Sequence, residues 1–321
     1  MSEQSISKLY PPEQPVRTQP LSSAHSVDRF ADVSSGTRIC YREAGREGDP
    51  VIVLIAGLGE DLTFWGDSFV DALVGHGFRV VYLDNRDVGQ SMFISSPPPA
   101  TWRQFLAKPR ADGYSLGDMA RDVVGLLDHL GVDQVHLVGR SMGGMIAQTA
   151  AATHPSRVLS LTSIYSTTGA GTVGQPALST MFLLLSSPPR SRSQAVRAHL
   201  RMTSHVAGKG YPIDRGEEAA IAARGWDRCA GEQADGVARQ IQAIQRSGDR
   251  TADLRKITAA TLVINGDRDL MVAETGGAAT AAAIASARHV VIEGMGHHLP
   301  EALVATITGY VAEHAQRAAQ R

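Results

Sequence analysis

The feature that most constrains the fold is a G-x-S-x-G motif, Gly139 to Gly143, which lies between a buried-strand pattern and a helix pattern. The apolar run that ends at Val138 predicts a strand, and the run from Met142 to Ala152 predicts a helix. A serine on so sharp a strand-to-helix turn is held in strained backbone geometry, with its hydroxyl above the edge of a sheet. The motif therefore predicts that Ser141 is a nucleophile in a fold of alternating strands and helices.

Length, charge and cysteine content narrow the class of protein. A chain of 321 residues can bury a full-sized core, either as one large domain or as a domain with an insert. Its formal net charge of -1 provides no overall field toward nucleic acid or an anionic membrane. Two cysteines do not suggest a disulfide framework, the first residues do not resemble a secretory signal, and the longest apolar run, 181–185, is too short to span a bilayer. We therefore expect a soluble cytoplasmic protein without membrane insertion or a nucleic-acid partner.

The chain divides by pattern into an arm, a core and an insertion. Residues 1–28 combine prolines with polar residues and predict a mobile N-terminal arm. Residues 29–165 and 251–321 alternate short apolar runs with helical patterns, which predicts a mostly parallel sheet covered by helices on both faces. Residues 166–250 interrupt this alternation and predict a helical cap, with helices near 178–186 and 233–247. The arginine-rich stretch 190–201 is predicted to be a solvated helix face rather than an anion clamp.

The predicted elements of the core follow one another regularly. Strands are predicted at 51–56, 79–83, 134–138, 158–164, 261–264 and 289–292. Helices are predicted near 63–76, 116–130, 142–153, 276–286 and 300–317. Strands separated by helices in this way indicate an α/β class fold.

Two later turns carry the residues that a serine nucleophile requires. A serine hydroxyl is a weak nucleophile at neutral pH and needs a histidine base that is oriented by a carboxylate. Asp267 and Asp269 follow one predicted strand, and His297 and His298 follow the last predicted strand. Only one acid and one histidine can take part, because one carboxylate orients one imidazole beside the serine. The order of serine, aspartate and histidine along the chain is that of one large superfamily.

Four motifs together resemble the α/β-hydrolase superfamily from about residue 36 to the C-terminus. The G-x-S-x-G turn, called the nucleophile elbow in this family, places the nucleophile at Ser141. The turn G-D-R-D points to Asp269, and G-M-G-H-H-L-P points to His297. The fourth motif, D-N-R-D-V-G-Q-S at 84–91, has Asp87 where the family usually has glycine and resembles the bacterial esterase branch that includes aclacinomycin methylesterase. The resemblance implies the α/β-hydrolase fold, a mostly parallel sheet flanked by helices with a helical cap insertion. It also makes Asp267 a turn former and His298 a solvent-facing or cap-contacting neighbour.

An oxyanion hole requires two backbone N–H groups that point at the developing negative charge. Met142 follows the nucleophile at a helix N-terminus and is predicted to supply one of them. The resemblance places the other on Leu58, although Ala56 stands where many relatives have histidine. For the substrate pocket, Phe64 and Trp65 are candidates, with plain core packing as the alternative. Phe182 and Leu184 are candidates for a tunnel beneath the insertion, with a simple packed helix as the alternative.

The resulting hypothesis is a serine hydrolase that cleaves carboxylic esters of small to medium, moderately apolar molecules through an acyl-enzyme. No cofactor and no metal site are expected, since no metal-ligand spacing, phosphate loop or nicotinamide fingerprint is visible. The expected partner is the small-molecule ester itself, and the oligomeric state stays open. Thioesterase, carbon–carbon bond hydrolase and cofactor-free perhydrolase activities use the same triad and remain alternatives. A slow-turnover ligand receptor is the alternative from another class.

Overall fold

Eight strands form one sheet within residues 27–229, 231 and 233–320, which are the residues that the computed structural model describes. The strand order is β1-β2-β4-β3-β5-β6-β7-β8; β2 pairs antiparallel with both of its neighbours, β1 and β4, and all other neighbouring strands pair parallel. The strands are β1 (Arg29–Asp32), β2 (Arg38–Ala44), β3 (Val51–Ile55), β4 (Arg79–Leu83), β5 (Val135–Arg140), β6 (Val158–Ile164), β7 (Ala260–Gly266) and β8 (Ala287–Ile292). The predicted α/β-hydrolase fold is thus confirmed. The arm predicted for 1–28 lies outside the described residues except for its last two positions.

Helices cover both faces of this sheet. They are α1 (Asp67–Gly75), α2 (Thr101–Phe105), α3 (Leu116–His129), α4 (Met142–Thr153), α5 (Leu178–Leu184), α6 (Arg192–Val206), α7 (Arg215–Arg228), α8 (Gln233–Ser247), α9 (Thr251–Leu254), α10 (Thr275–Ala283) and α11 (Glu301–Ala319). The helix predicted near 63–76 is divided: a 3-10 turn at Leu62–Trp65 is separated from α1 by Gly66. No helix among the described residues is long and apolar enough to cross a membrane.

Two hydrophobic cores lie on opposite faces of the sheet. Successive side chains of a strand point to opposite faces of the sheet. Ile52 and Leu54 of β3 therefore pack with α1 and α11, whereas Val53 and Ile55 pack with α3 and α4. All five residues of β3 are buried, as expected for a parallel strand that is covered on both sides. This double burial explains why the central strands were predictable as continuous apolar runs.

The segment between β6 and β7 contains more helices than the sequence indicated. The predicted helices near 178–186 and 233–247 correspond to α5 and α8, and α6 covers the arginine-rich stretch with Arg197 and Arg201 exposed. The sequence did not predict α7. Its N-cap residue is Asp214, whose carboxylate accepts hydrogen bonds from the backbone N–H groups of Gly216 and Glu217.

Helix α8 is fastened to the core by a buried ion pair. Asp87 has a backbone φ of 68° and is fully buried, and Arg239 of α8 binds its carboxylate with Nε at 3.0 Å and Nη2 at 2.8 Å. A Cβ atom added to Gly236 would lie 2.0 Å from the carbonyl oxygen of Asp87, so the helix contacts the 84–91 loop directly. The residue that departs from the family motif is therefore the anchor of this helix.

Burial of His136 on β5 makes stability depend on pH. Burial, followed by the charge of His314, lowers the pKa of His136 to about 4, and its Nδ1 lies 2.8 Å from Ser160 Oγ. The unfolded chain takes up a proton near the ordinary pKa of about 6.5, but the folded chain does not, so the free energy of unfolding should fall between pH 6.5 and 4 by up to about 3 kcal/mol. Urea unfolding at pH 7, 5.5 and 4 measures this slope. The variant His136→Gln, which does not titrate, should have a shallower slope, and equal slopes would contradict the assignment.

Candidate active site

The turn between β5 and α4 has the geometry of a nucleophile elbow. Ser141 has φ 52° and ψ -122°, a conformation that non-glycine residues rarely adopt. A Cβ atom on Gly139 would lie 2.2 Å from the carbonyl oxygen of Gly143, and one on Gly143 would lie 2.0 Å from that of Ile55. Both positions therefore require glycine for the strand and the helix to approach each other. The backbone N–H of Ser141 donates to the carbonyl of Ile164 at 2.9 Å, which fixes the elbow to β6.

The structure brings Ser141, His297 and Asp269 into one hydrogen-bonded chain. His297 Nε2 lies 2.9 Å from Ser141 Oγ, and His297 Nδ1 lies 2.7 Å from Asp269 Oδ2. The other oxygen of Asp269 accepts hydrogen bonds from the backbone N–H groups of Met271 and Val272 at 2.7 and 2.8 Å. These bonds fix the rotation of a fully buried carboxylate, so that one oxygen always faces the imidazole.

The loops that carry the acid and the histidine are bonded to each other. Asp267 does not face His297; its Oδ1 accepts from the backbone N–H of Gly294 at 2.6 Å and so links the two turns. The backbone N–H of His297 donates to the carbonyl of Val206, the last residue of α6, at 2.7 Å. His298 points toward α7, where its Nε2 lies 3.5 Å from Glu218 Oε1. The structure thus brings Asp269 and His297, rather than Asp267 and His298, together with Ser141.

The loop that carries Leu58 lies against the turn that carries Ser141 and Met142. A Cβ atom on Gly57 would lie 3.3 Å from Ser141 Cβ, which brings the loop after β3 against the elbow. Within the described residues, neither of the two N–H groups donates to a protein acceptor. At Ala56, where many relatives have histidine, the carbonyl accepts from Asn85 Nδ2 at 3.0 Å. Both N–H groups are thus available to a ligand oxygen.

An ion pair next to the elbow, between buried Arg140 and partly buried Glu60, was missed in the sequence. Arg140 donates from Nε and Nη2 to the two oxygens of Glu60 at 2.7 and 2.5 Å, and from Nη1 to the carbonyl of Phe64 at 3.0 Å. Burial alone would raise the pKa of Glu60, but Arg140 and the backbone N–H of Gly57 outweigh it and lower that pKa. Arg140 is a charged residue inside an otherwise buried motif, and a buried charge requires a partner, so its position in the sequence could have indicated this pair.

The pocket candidates do not form one cluster. Trp65 is buried and packs against Phe69 with ring centroids 5.0 Å apart, whereas Phe64 is partly buried and meets the ring of His199 edge-on at 5.6 Å. Phe182 and Leu184 lie on α5 with 73% and 49% of their surfaces exposed.

Helix α5 nevertheless begins beside the acid turn. The carbonyl of Leu270, the residue after Asp269, accepts from the backbone N–H of Ala177 at 2.9 Å and from Thr180 Oγ1 at 2.8 Å. The exposed apolar side chains of this region are Leu178, Met181, Phe182, Leu184, Leu185 and Leu270. No group of three His, Cys, Asp or Glu side chains in the described part of the chain is arranged to hold a metal ion.

Comparison with known proteins identifies similar chains. Residues 50–301 match the sequence model of the alpha/beta hydrolase fold family. The rhodomycin D methylesterase DauP of Streptomyces sp. (strain C5) is 27% identical over 295 residues, which are 85% of this chain and 93% of that protein. The rhodomycin D methylesterase DnrP of Streptomyces peucetius is 26% identical with the same coverage. The crystal structure of the enol-lactonase from Burkholderia xenovorans LB400 has a TM-score of 0.68 at 25% identity, covering 90% of this chain and 100% of that chain.

Proposed function

Because the chain belongs to the alpha/beta hydrolase family, we propose that its hydrolysis of carboxylic esters is carried out by Ser141, His297 and Asp269. The observation that carries this proposal is the hydrogen-bonded chain from Ser141 Oγ through the imidazole to the buried carboxylate, with distances of 2.9 and 2.7 Å. A weak hydroxyl nucleophile requires this arrangement of base and orienting acid.

The proposed reaction has two halves. Ser141 Oγ attacks the ester carbonyl as His297 Nε2 takes its proton, and Asp269 stabilises the imidazolium while holding Nδ1–H. The backbone N–H groups of Leu58 and Met142 stabilise the oxyanion of the tetrahedral intermediate. As the intermediate collapses, His297 gives the proton to the leaving alcohol. A water molecule activated by the same histidine then attacks the acyl-enzyme, which releases the acid and restores the serine hydroxyl.

The proposed substrate is an uncharged, moderately apolar ester of small to medium size. The guanidinium of Arg140 near the serine is already paired with Glu60, and the side chains exposed around α5 are apolar, so the observed groups favour an uncharged substrate. The similar Streptomyces proteins are named as methylesterases, which favours ester hydrolysis over thioester, carbon–carbon or peracid chemistry on the same residues. We place residues 166–250 over the site as the cap.

A cytoplasmic location is part of the proposal, without a nucleic-acid partner. Cys40 and Cys229 are both free thiols and both buried, which agrees with a reducing compartment.

Two measurements test the proposed function together. A fluorophosphonate probe should label the wild-type protein at Ser141, and a panel of p-nitrophenyl esters, methyl esters and acyl-CoA thioesters should show the highest kcat/KM with an oxygen ester. Absence of labelling would overturn the proposal that Ser141 is an activated nucleophile. Labelling combined with a clear preference for thioesters would overturn the ester proposal while leaving the nucleophile in place.

Truncation of Phe182 and Leu184 to alanine should alter the preference for acyl or alcohol chain length. The loss of a pocket contact changes discrimination by about 1–3 kcal/mol on the usual scale. Because Phe182 is largely exposed and Leu184 about half exposed, the melting temperature should change little. Phe30→Ala, an exposed aromatic side chain on β1 at the far edge of the sheet, is the control. An unchanged chain-length profile in both α5 variants would contradict a selecting role for this helix.

A further inference from the structure

Helix α8 contacts the oxyanion loop through a buried glutamine. The backbone N–H of Gly59 donates to Gln240 Oε1 at 2.8 Å, and Gln240 Nε2 donates to the carbonyl of Arg86 at 2.8 Å. Gln240 is fully buried, so both halves of its amide are matched by backbone groups of two different loops. A second glutamine of the same helix, Gln233, donates from Nε2 to the carbonyl of Gly59 at 2.9 Å.

These bonds restrain the peptide that supplies the oxyanion donor. The Leu58 N–H belongs to the peptide between Gly57 and Leu58, and the peptides on both sides of it are held. Glu60 Oε2 accepts from the N–H of Gly57 at 2.7 Å on one side, and Gln240 accepts from the N–H of Gly59 on the other. Since the only soft degrees of freedom between planar peptides are φ and ψ, holding both neighbours limits the direction of the Leu58 N–H.

We infer that Gln240, assisted by Gln233, is a positioning residue that aims the Leu58 N–H at the oxyanion. The inference rests on the proposed function, in which Leu58 is one of the two donors. An oxyanion donor must lie about 2.7–3.1 Å from the developing charge, and a misplacement of about 1 Å can lower the rate about 100-fold. Helix α8 thereby contributes to catalysis, although it lies in the segment proposed as the cap.

Helix α8 has independent attachments, so loss of Gln240 does not detach it. Arg239 binds Asp87, and Gln242 Oε1 accepts from the backbone N–H of Arg110 at 2.9 Å. Gln242 is buried on the same helix but holds a loop that does not carry a proposed donor. It therefore provides a matched control for the removal of a buried glutamine.

The test compares Gln240→Met with Gln242→Met in the full-length protein. In Gln240→Met, kcat should fall about 10- to 100-fold with little change in KM, because the donor acts on the transition state. Affinity for a trifluoromethyl ketone, which forms a tetrahedral adduct with the serine, should fall by a similar factor. The pH at which kcat/KM is half-maximal should not move, because His297 keeps its partners. Gln242→Met should stay within about twofold of wild type in all three measurements.

The behaviour of the wild-type protein distinguishes a failure of the proposed function from a failure of the inference about Gln240. If the wild-type protein neither reacts with fluorophosphonate nor binds the ketone, the proposed function fails. If the wild type does both and a folded Gln240→Met equals Gln242→Met in kcat and ketone affinity, only the inference about Gln240 is overturned. Should Gln240→Met not fold, Gln233→Met decides, since Gln233 is only partly buried. A several-fold loss of ketone affinity supports positioning, and unchanged affinity overturns it.

Discussion

Replacement of Ser141 by alanine is expected to lower kcat for ester hydrolysis by about 10⁴- to 10⁶-fold. The hydroxyl is the proposed nucleophile and lies 2.9 Å from the histidine base, and alanine provides no atom that can form the acyl-enzyme. The fold should be retained, because alanine adds no atoms to a turn that already accommodates serine at φ 52°. Initial rates on the best ester of the panel, fluorophosphonate labelling and thermal unfolding measure the three consequences.

Ser160→Ala is a suitable control for this experiment. Ser160 is a buried serine of β6 that is bonded to His136 and is remote from the proposed chemistry. It should keep its activity and its labelling. More than a tenth of wild-type activity in Ser141→Ala would rule out Ser141 as the nucleophile.

Asp269→Asn is expected to lower kcat by about 10⁴-fold, the loss typical of an amide in this position. The two backbone N–H groups of Met271 and Val272 point at one oxygen of Asp269. They should bind the carbonyl oxygen of an asparagine, which turns its NH₂ group toward His297 Nδ1. The imidazole would then have to carry its proton on Nε2, where it can no longer accept the proton of Ser141. The variant should therefore fold normally and lose its base.

Asp267→Asn provides the comparison, with an expected loss below about tenfold. An asparagine side-chain oxygen can still accept the hydrogen bond from the backbone N–H of Gly294. Steady-state kinetics of the two variants on one ester decide the matter. If Asp267→Asn were the more damaging of the two, the orienting acid would be Asp267, and the fold assignment would be unaffected.

The sequence predicts the central sheet well because buried parallel strands are continuous apolar runs. Strands β3 to β8 correspond to predicted segments, whereas β1 and β2 were missed because they are antiparallel strands at the edge and contain charged residues. Helix α7 was missed for a related reason. Its sequence contains Glu217, Glu218 and Arg224 and presents little apolar periodicity, since it packs on α6 and the 3-10 turn Leu62–Trp65 rather than on the sheet.

The candidate site also contains residues that the sequence predicts and contacts that it does not. Ser141, Asp269 and His297 stand in motifs whose geometry depends on neighbours within a few residues, so local sequence could point to them. The pair of Glu60 with Arg140 and the bond from Gly59 to Gln240 join residues 80 and 181 positions apart. Such contacts depend on how loops and helices pack after the chain has folded, and no local pattern encodes them.

The anchoring of α8 limits how this protein can be recombined with its relatives. Arg239 is matched to an aspartate where the family motif usually has glycine, and Gly236 leaves no room for a side chain over the 84–91 loop. A chimera in which 166–250 is replaced by a segment without an arginine at the place of Arg239 would leave Asp87 as a buried carboxylate without its cation, a change that commonly costs about 3–5 kcal/mol. An exchange that ends before Gln233 keeps α8 together with the loops that it contacts in this protein, the 84–91 loop and the loop that contains Gly59. The modular unit for specificity engineering is thus shorter than the helical insertion.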